Sequence, residues 1–431
     1  MKRKIAADLQ SWKESSRRKP LILLGARQVG KTYSVLAFGK DSFDNVIHAD
    51  FAESPDLSRL FAGDLNPKRL TSLLTERFQT RIDPERTLVF FDEVQRCPQA
   101  VTSLKYFCEQ APEYHVVAAG SLLGTTIQKR EGLFPVGKVD MFEMHPLDFE
   151  EYLWALDRKG LADMIREHYD SAEAFPLHDL SLDLYRRYLL VGGMPEPLDA
   201  WVQDQDMAEV RRAQSLIATG YLADIAQYTE GLDAAKVAGV WRSIPQQLAK
   251  ENAKFQYAVI RTGARRSEYA PCIEWLIDAG LVSPCRHITD AVRPLENFVE
   301  DANFKLYLLD TGILASLYQA TMPDLMPQAD KASRFRGAIA ENYVMQQLVA
   351  AGVKAYYWGT ASKSEVEFVY ADQNGRVVPI EVKSGRNTSA RSVRSFSEKY
   401  DIPYVLKPST KNFGLAGGIK SIPLYAAFCI R

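Results

Sequence analysis

Short apolar runs alternate with amphipathic stretches over the first third of the chain. Leu21-Ile22-Leu23-Leu24 follows Pro20 and stops at Gly25, which predicts a buried strand entering a turn, with a helix from about Lys31. Asn45–Ala49, Thr87–Phe91, Tyr114–Ala119 and Lys138–Met144 repeat the strand pattern, and Pro67–Gln79 and Gln99–Gln110 carry helical periodicity between them. Such alternation predicts a parallel sheet with helices on both faces, an α/β fold whose ligands lie beyond the carboxyl ends of the strands.

After Pro146 the period lengthens. Leu147–Trp154 and Leu184–Leu190 predict amphipathic helices, interrupted at Gly192-Gly193-Met194-Pro195-Glu196-Pro197, where glycine and proline mark a turn. Between Ala234 and Leu314, short helices lead to Gly280–Ser283 and to the apolar segment Phe304–Leu309, an order similar to a winged helix. From Phe335, the helix Gly337–Ala351 leads into strands at Val353–Trp358, Glu365–Tyr370 and Val377–Val382. The expected division is an α/β domain over 1–146, a helical region over 147–232, a winged-helix-like region over 233–320 and a helix-plus-sheet domain over 332–431.

Charge sharpens this division. The net charge of −1 over 431 residues conceals a carboxy-terminal stretch, Lys331–Arg431, of +8 against −9 for the rest. A basic segment of this kind fits a DNA partner or an acidic neighbouring domain. No apolar run approaches the ~18 residues of a membrane span. Asp8, Lys13 and Glu14 fall where a signal peptide would be apolar. Cys97, Cys108, Cys272, Cys285 and Cys429 include no C-x-x-C pair, so a cytoplasmic protein without a disulfide framework is expected. The six histidines are scattered and read as structural. Trp154, Trp201 and Trp358 read as core anchors.

Gly25-Ala26-Arg27-Gln28-Val29-Gly30-Lys31-Thr32 satisfies G-x-x-x-x-G-K-[ST] between a strand and a helix. Glycines let the loop curl its N–H groups around phosphate oxygens, and the helix N-terminus adds positive partial charge. Lys31 is expected on the β- and γ-phosphates of ATP, and Thr32 on Mg²⁺. Leu88-Val89-Phe90-Phe91-Asp92-Glu93 ends an apolar strand in two acids. Asp92 is the candidate metal-side carboxylate and Glu93 the candidate base for the attacking water.

The following strand ends in Ala119-Gly120-Ser121, and the set is similar to AAA+ ATPases, which carry a γ-phosphate sensor at that tip. The resemblance implies a sensor role for Ser121, although many such enzymes carry Asn there. It also implies a cation supplied in trans by a neighbouring subunit, hence a homo-oligomer. Arg130 and Lys138 both stand in the relevant stretch.

In the carboxy-terminal part, Ser364-Glu365-Val366-Glu367-Phe368-Val369 and Ile380-Glu381-Val382-Lys383 flank the turn Asp372-Gln373-Asn374-Gly375. Alternation puts Glu365 and Glu367 on one strand face, and Glu381 and Lys383 on one face of the next. This is the arrangement of the PD-(D/E)xK nuclease fold, where two carboxylates hold Mg²⁺ and a lysine positions water. Glu341 matches the helical acid of that fold. Glu367 departs from the usual Asp by one methylene, about 1 Å at a ligand oxygen.

Together with Leu190–Pro195 and Lys305-Leu306-Tyr307-Leu308-Leu309-Asp310-Thr311-Gly312, these segments resemble bacterial and archaeal AAA+-type ATPases that couple a P-loop domain to a carboxy-terminal domain of unknown function. The resemblance implies ATP binding and hydrolysis, and with the basic terminus the expectation is an Mg²⁺-dependent ATPase that binds ATP and ADP and acts on or with DNA through its carboxy-terminal domain. Two alternatives stay open: an ATP-gated, metal-dependent nuclease, and a nucleotide-switched binding module whose nuclease fold is inactive. Arg265-Arg266 is a candidate nucleic-acid contact in the latter.

Overall fold

The five amino-terminal apolar runs become β1 (Leu21–Leu24), β2 (Asn45–Asp50), β3 (Thr87–Asp92), β4 (His115–Ala119) and β5 (Asp140–Glu143). The structure, a computed structural model, describes residues 1–121, 123–124, 135–229, 231–250, 253–326, 333–359, 365–383 and 391–431. Packing divides the chain into two units, Met1–His145 with Asp278–Gly280, and Pro146–Ile277 with Leu281–Arg431.

In the first unit all strand pairs are parallel, in the order β2-β3-β4-β1-β5. A parallel sheet is covered on both faces, which is why β3 and β4 are apolar almost throughout and fully buried. On one face Ile22, Val89, Phe91, Val116 and Ala118 pack with Leu70 and Leu74 of helix Pro67–Phe78, and with Leu104 and Phe107 of helix Pro98–Gln110. On the other, Gly39 of helix Lys31–Ser42 lies so close to Leu88 and Val46 that a Cβ there would stand 2.6 Å from a Val46 methyl. After β1 the chain passes to the far edge at β2, returns through β3 to β4 beside β1, then crosses to β5. That reversal beside β1 opens a crevice at the carboxyl ends of the strands.

The second unit begins with helices, as the longer period predicts. Asp148 opens the helix Phe149–Ala155 with a capping box: its side chain accepts from Glu151 N, and the Glu151 carboxylate accepts from Asp148 N. Helices Lys159–Ser171, His178–Val191, Pro195–Asp204 and Met207–Tyr228 follow. Gly192 takes φ +79° between two of them, and a Cβ on Gly193 would fall 1.9 Å from the Leu147 carbonyl oxygen, so both positions of the turn demand glycine.

An eight-stranded mixed sheet completes this unit. Its strands are β6 (Val282–Ile288), β7 (Val299–Leu308), β8 (Tyr356–Gly359), β9 (Glu365–Ala371), β10 (Val377–Ile380), β11 (Val405–Ser409), β12 (Gly414–Ala416) and β13 (Ile419–Pro423), in the order β12-β13-β11-β10-β9-β8-β6-β7. The antiparallel ribbon β6–β7 follows helices Ala234–Leu248, Tyr257–Ile260 and Arg266–Asp278, as the sequence leads one to expect. It is not a free-standing wing. The second edge of β6 pairs in parallel with β8, Arg286 to Tyr356 and Ile288 to Trp358, so ribbon and carboxy-terminal strands share one sheet. An unpaired edge leaves backbone donors and acceptors to be satisfied, and pairing with β8 satisfies them.

Behind this sheet a buried polar knot joins segments that stand out in the sequence. Asp310 is fully buried and accepts hydrogen bonds from Gly193 N (2.6 Å) and Ile313 N (2.9 Å). On helix Ser333–Ala350, Gln346 Oε1 accepts from Thr311 N and its hydroxyl, and Asn342 bonds both backbone groups of Leu308. The Leu190–Pro195 and Lys305–Gly312 segments meet each other here. Trp358 is buried edge-on to Phe396, as expected of a core anchor, whereas Trp154 and Trp201 are half-buried. All five cysteines are free thiols. Among the described residues no helix is long and apolar enough to cross a membrane.

Candidate functional site

The glycine loop occupies the crevice beside β1. Gly25 takes φ +139°, and a Cβ on it would stand 2.2 Å from the Met144 carbonyl oxygen. Gln28 (φ +67°) and Gly30 (φ +95°) also turn left-handed. Those values curl the chain before Ser34 N donates to Gly30 O at 3.0 Å and the helix Lys31–Ser42 begins. Ala26 and Val29 are buried and anchor the loop, while Arg27 and Gln28 face outward. Lys31 is 7% exposed and donates to the carbonyl oxygens of Gly25 and Ala26, both at 2.8 Å. Burial pushes its ammonium down to about 8, opposed by the Glu93 and Asp92 carboxylates and assisted by the Arg27 charge.

Thr32 and Asp92 meet. The threonine hydroxyl donates to Asp92 Oδ2 at 2.7 Å, and Asp92 Oδ1 accepts from Glu93 N at 2.9 Å, so both oxygens of this buried carboxylate are oriented. Glu93 takes φ +52°, an uncommon conformation for a side-chain-bearing residue, and its carboxylate accepts a hydrogen bond from Gln95 Nε2. Gln95 in turn lies against Gly120 at the end of β4, where a Cβ would stand 2.4 Å from its Oε1. Ser121 follows, buried, just past that strand. Lys138 is paired with Glu109 at 3.0 Å, and Arg130 lies outside the described residues.

His48, read as structural from the sequence, stands at this site. Its Nε2 is 3.3 Å from Asp92 Oδ2, and Asp50 joins them, with one ligand atom from each of the three within 4.8 Å of the others. Gln95 stands in the acidic motif without a role read for it, and the sequence gives no role to His48 and Asp50 because their partner Asp92 is on another strand. The available signal was period-two spacing: His48 and Asp50 share a face, and β2 runs in register with β3.

In the second unit, two of the carboxy-terminal acids, Glu341 and Glu365, pair with a residue to which the sequence gave no role. Lys305 on β7 is 1% exposed, with Nζ 2.7 Å from Glu365 Oε1 and 3.8 Å from Glu341 Oε2. Burial works against its charge, and the Glu341 and Glu365 carboxylates more than offset that, holding it above its ordinary value. Tyr307 donates to Glu341 Oε2 at 3.2 Å. Lys383 lies 3.2 Å from Glu381 Oε1 and 3.6 Å from Glu367 Oε1, and Lys407 lies 3.6 Å from Glu381 Oε2. Burial pushes the Glu367 carboxyl up to about 7 against the pull of Lys383. Glu341 thus pairs with Lys305 and Tyr307, while Glu367, Glu381 and Lys383 form a second charged group with Lys407. Among the described residues they do not form a tight carboxylate cluster, and the group with metal-ligand spacing is that of His48, Asp50 and Asp92. A lysine inside the otherwise apolar run Phe304–Leu309 was the available sign of Lys305.

Residues 17–153 match the AAA domain, and residues 182–343 and 336–427 match two domains of unknown function, DUF8612 and DUF4143. No curated protein matches the chain. Among solved structures, a Walker-type ATPase of Pyrococcus abyssi is similar at 16% identity and a TM-score of 0.44, over 73% of this chain and 94% of that one. The Aeropyrum pernix ORC2 protein, in ADPNP–ADP complexes, follows at 10% identity and 0.36, over 79% and 92%. The ORC1 protein of the same organism, in complex with DNA, is at 11% and 0.29, over 73% and 90%. The parallel sheet and glycine loop of the first unit are those of a P-loop fold, and the AAA domain match covers most of that unit.

Proposed function

We propose that the chain binds ATP at Gly25–Thr32 and hydrolyses it with Mg²⁺. The observation that carries this reading is the Thr32–Asp92 contact, which brings the phosphate loop and the acidic strand end together at one crevice. The oxygens of Thr32 and Asp92 suit Mg²⁺, which is hard and keeps several waters, and which when bound would draw off charge developing on the phosphates. Loop N–H groups and Lys31 hold the phosphates, the lysine exchanging the Gly25 and Ala26 carbonyls for phosphate oxygens. Glu93, on the other side of Asp92, accepts the proton of the attacking water, and Gln95 holds its carboxylate until then. Ser121 is assigned to γ-phosphate sensing, a role that rests on its position past β4.

Two variants test this. Lys31→Ala lowers ATP affinity by at least about tenfold, and Glu93→Gln binds ATP while turning over at least about a hundredfold more slowly. Unchanged affinity in the first would overturn the site, and undiminished turnover in the second would remove Glu93 as base.

For the carboxy-terminal domain the reading is a nuclease-like fold that binds DNA without cutting it. Lys305 supports this: its ammonium already pairs with Glu341 and Glu365 and offsets one of the two negative charges a metal ion would otherwise meet. Supercoiled plasmid incubated with the protein, ATP and either Mg²⁺ or Mn²⁺ is expected to stay intact. Nicking that Lys383→Ala abolishes would restore the nuclease reading.

A further inference from the structure

The metal side of the phosphate loop extends beyond Thr32 and Asp92. Parallel register places Asp50 beside Asp92 and His48 beside Phe90. The imidazole of His48 lies flat on the Phe90 ring, centroids 5.1 Å apart and planes 9° from parallel, which fixes its plane and holds Nε2 3.3 Å from Asp92 Oδ2. Asp50 Oδ1 accepts from Ala52 N (2.7 Å) and Glu53 N (3.0 Å), so its carboxylate is held by the turn after β2. One nitrogen and two carboxylate donors within 4.8 Å of one another make a mixed donor set on rigid strand ends.

We propose that His48, Asp50 and Asp92 form a divalent transition-metal site, which takes Mn²⁺ in preference to Mg²⁺ and fills before nucleotide arrives. Mg²⁺ favours oxygen donors and gives up water reluctantly, whereas an imidazole nitrogen suits first-row transition ions. Two carboxylates out of three donors bring Mn²⁺ within that set. The proposal rests on the reading of Asp92 as the metal-side acid and adds to it an ion site of the nucleotide-free protein, distinct from the Mg²⁺ that arrives with ATP. If His48 merely pairs with Asp92, bound Mn²⁺ shows no coupling to an imidazole nitrogen.

The test uses full-length, EDTA-stripped protein without nucleotide. Loss of the free Mn²⁺ signal in electron paramagnetic resonance reports binding, Mg²⁺ serves as competitor, and pulsed spectra report coupling from imidazole ¹⁴N. Expected are a single bound Mn²⁺, displacement only by at least about tenfold more Mg²⁺, and ¹⁴N coupling in the wild type. His48→Asn, a partly exposed position, loses the coupling and at least about tenfold in Mn²⁺ affinity. Equal competition by Mg²⁺, a wild-type spectrum without ¹⁴N coupling, or coupling that survives in the variant would overturn the proposal. ATP binding measured separately with Mg²⁺ present keeps the two readings apart. Its absence defeats the ATPase reading and leaves the metal result to stand, whereas normal ATP binding with no preference for Mn²⁺ defeats the metal site alone.

Discussion

Asp310 is a carboxylate without solvent, held by backbone donors from the distant Gly193 and from Ile313 in the helix it caps. Burial pushes it up to about 6 despite those donors, from an ordinary 3.8. Between these values the folded chain holds a proton that the unfolded chain has released. Stability therefore falls as pH rises from about 4 to about 6, by up to ~1.4 kcal/mol per unit, and this contribution is flat above. Asp310→Ala strands the Gly193 and Ile313 N–H groups and costs about 3 kcal/mol, and it loses this slope. Urea unfolding of wild type and variant at pH 5 and pH 7 measures both effects, and identical pH dependence in the two would contradict the assignment. The apolar run before Asp310 resembles the one before Asp92. Each ends an apolar strand, but Asp92 meets a threonine hydroxyl at a phosphate loop and Asp310 meets backbone amides in a core.

Helices and strands follow the local pattern closely, because periodicity and capping act over a few residues. The expected strands of the first unit begin and end within about two residues of those observed, as such boundaries do. Connections are less legible. The Gly192–Gly193 turn marks itself by composition, but the close approach of Leu147 that forbids a side chain there is a tertiary fact. Gly193→Ala is accordingly expected to cost more than about 2 kcal/mol, since the obstructing atom is a backbone oxygen. Gly160, in helix Lys159–Ser171 with nothing within 4 Å of where a Cβ would stand, is the matched control, where alanine is neutral or stabilising. Thermal melts of the two variants should diverge, and equal melting points would refute the packing argument.

Across the chain the charge is uneven, +8 over Lys331–Arg431 against −9 before it. If the basic part contacts phosphates, affinity for duplex DNA falls linearly with the logarithm of salt concentration, with a slope of roughly −0.9 for each phosphate contact. Affinity that barely moves from low to physiological salt would assign the basic surface to a protein neighbour instead.

The phosphate loop, the acidic strand end and the alternation of strands and helices could be read directly, since each is a short contiguous string whose chemistry depends on immediate neighbours. Folding alone brought His48 and Asp50 to Asp92, put Lys305 among the glutamates and joined the ribbon to the carboxy-terminal sheet. Those contacts bridge strands far apart along the chain, and strand pairing and register, which no local pattern encodes, set which side chains meet.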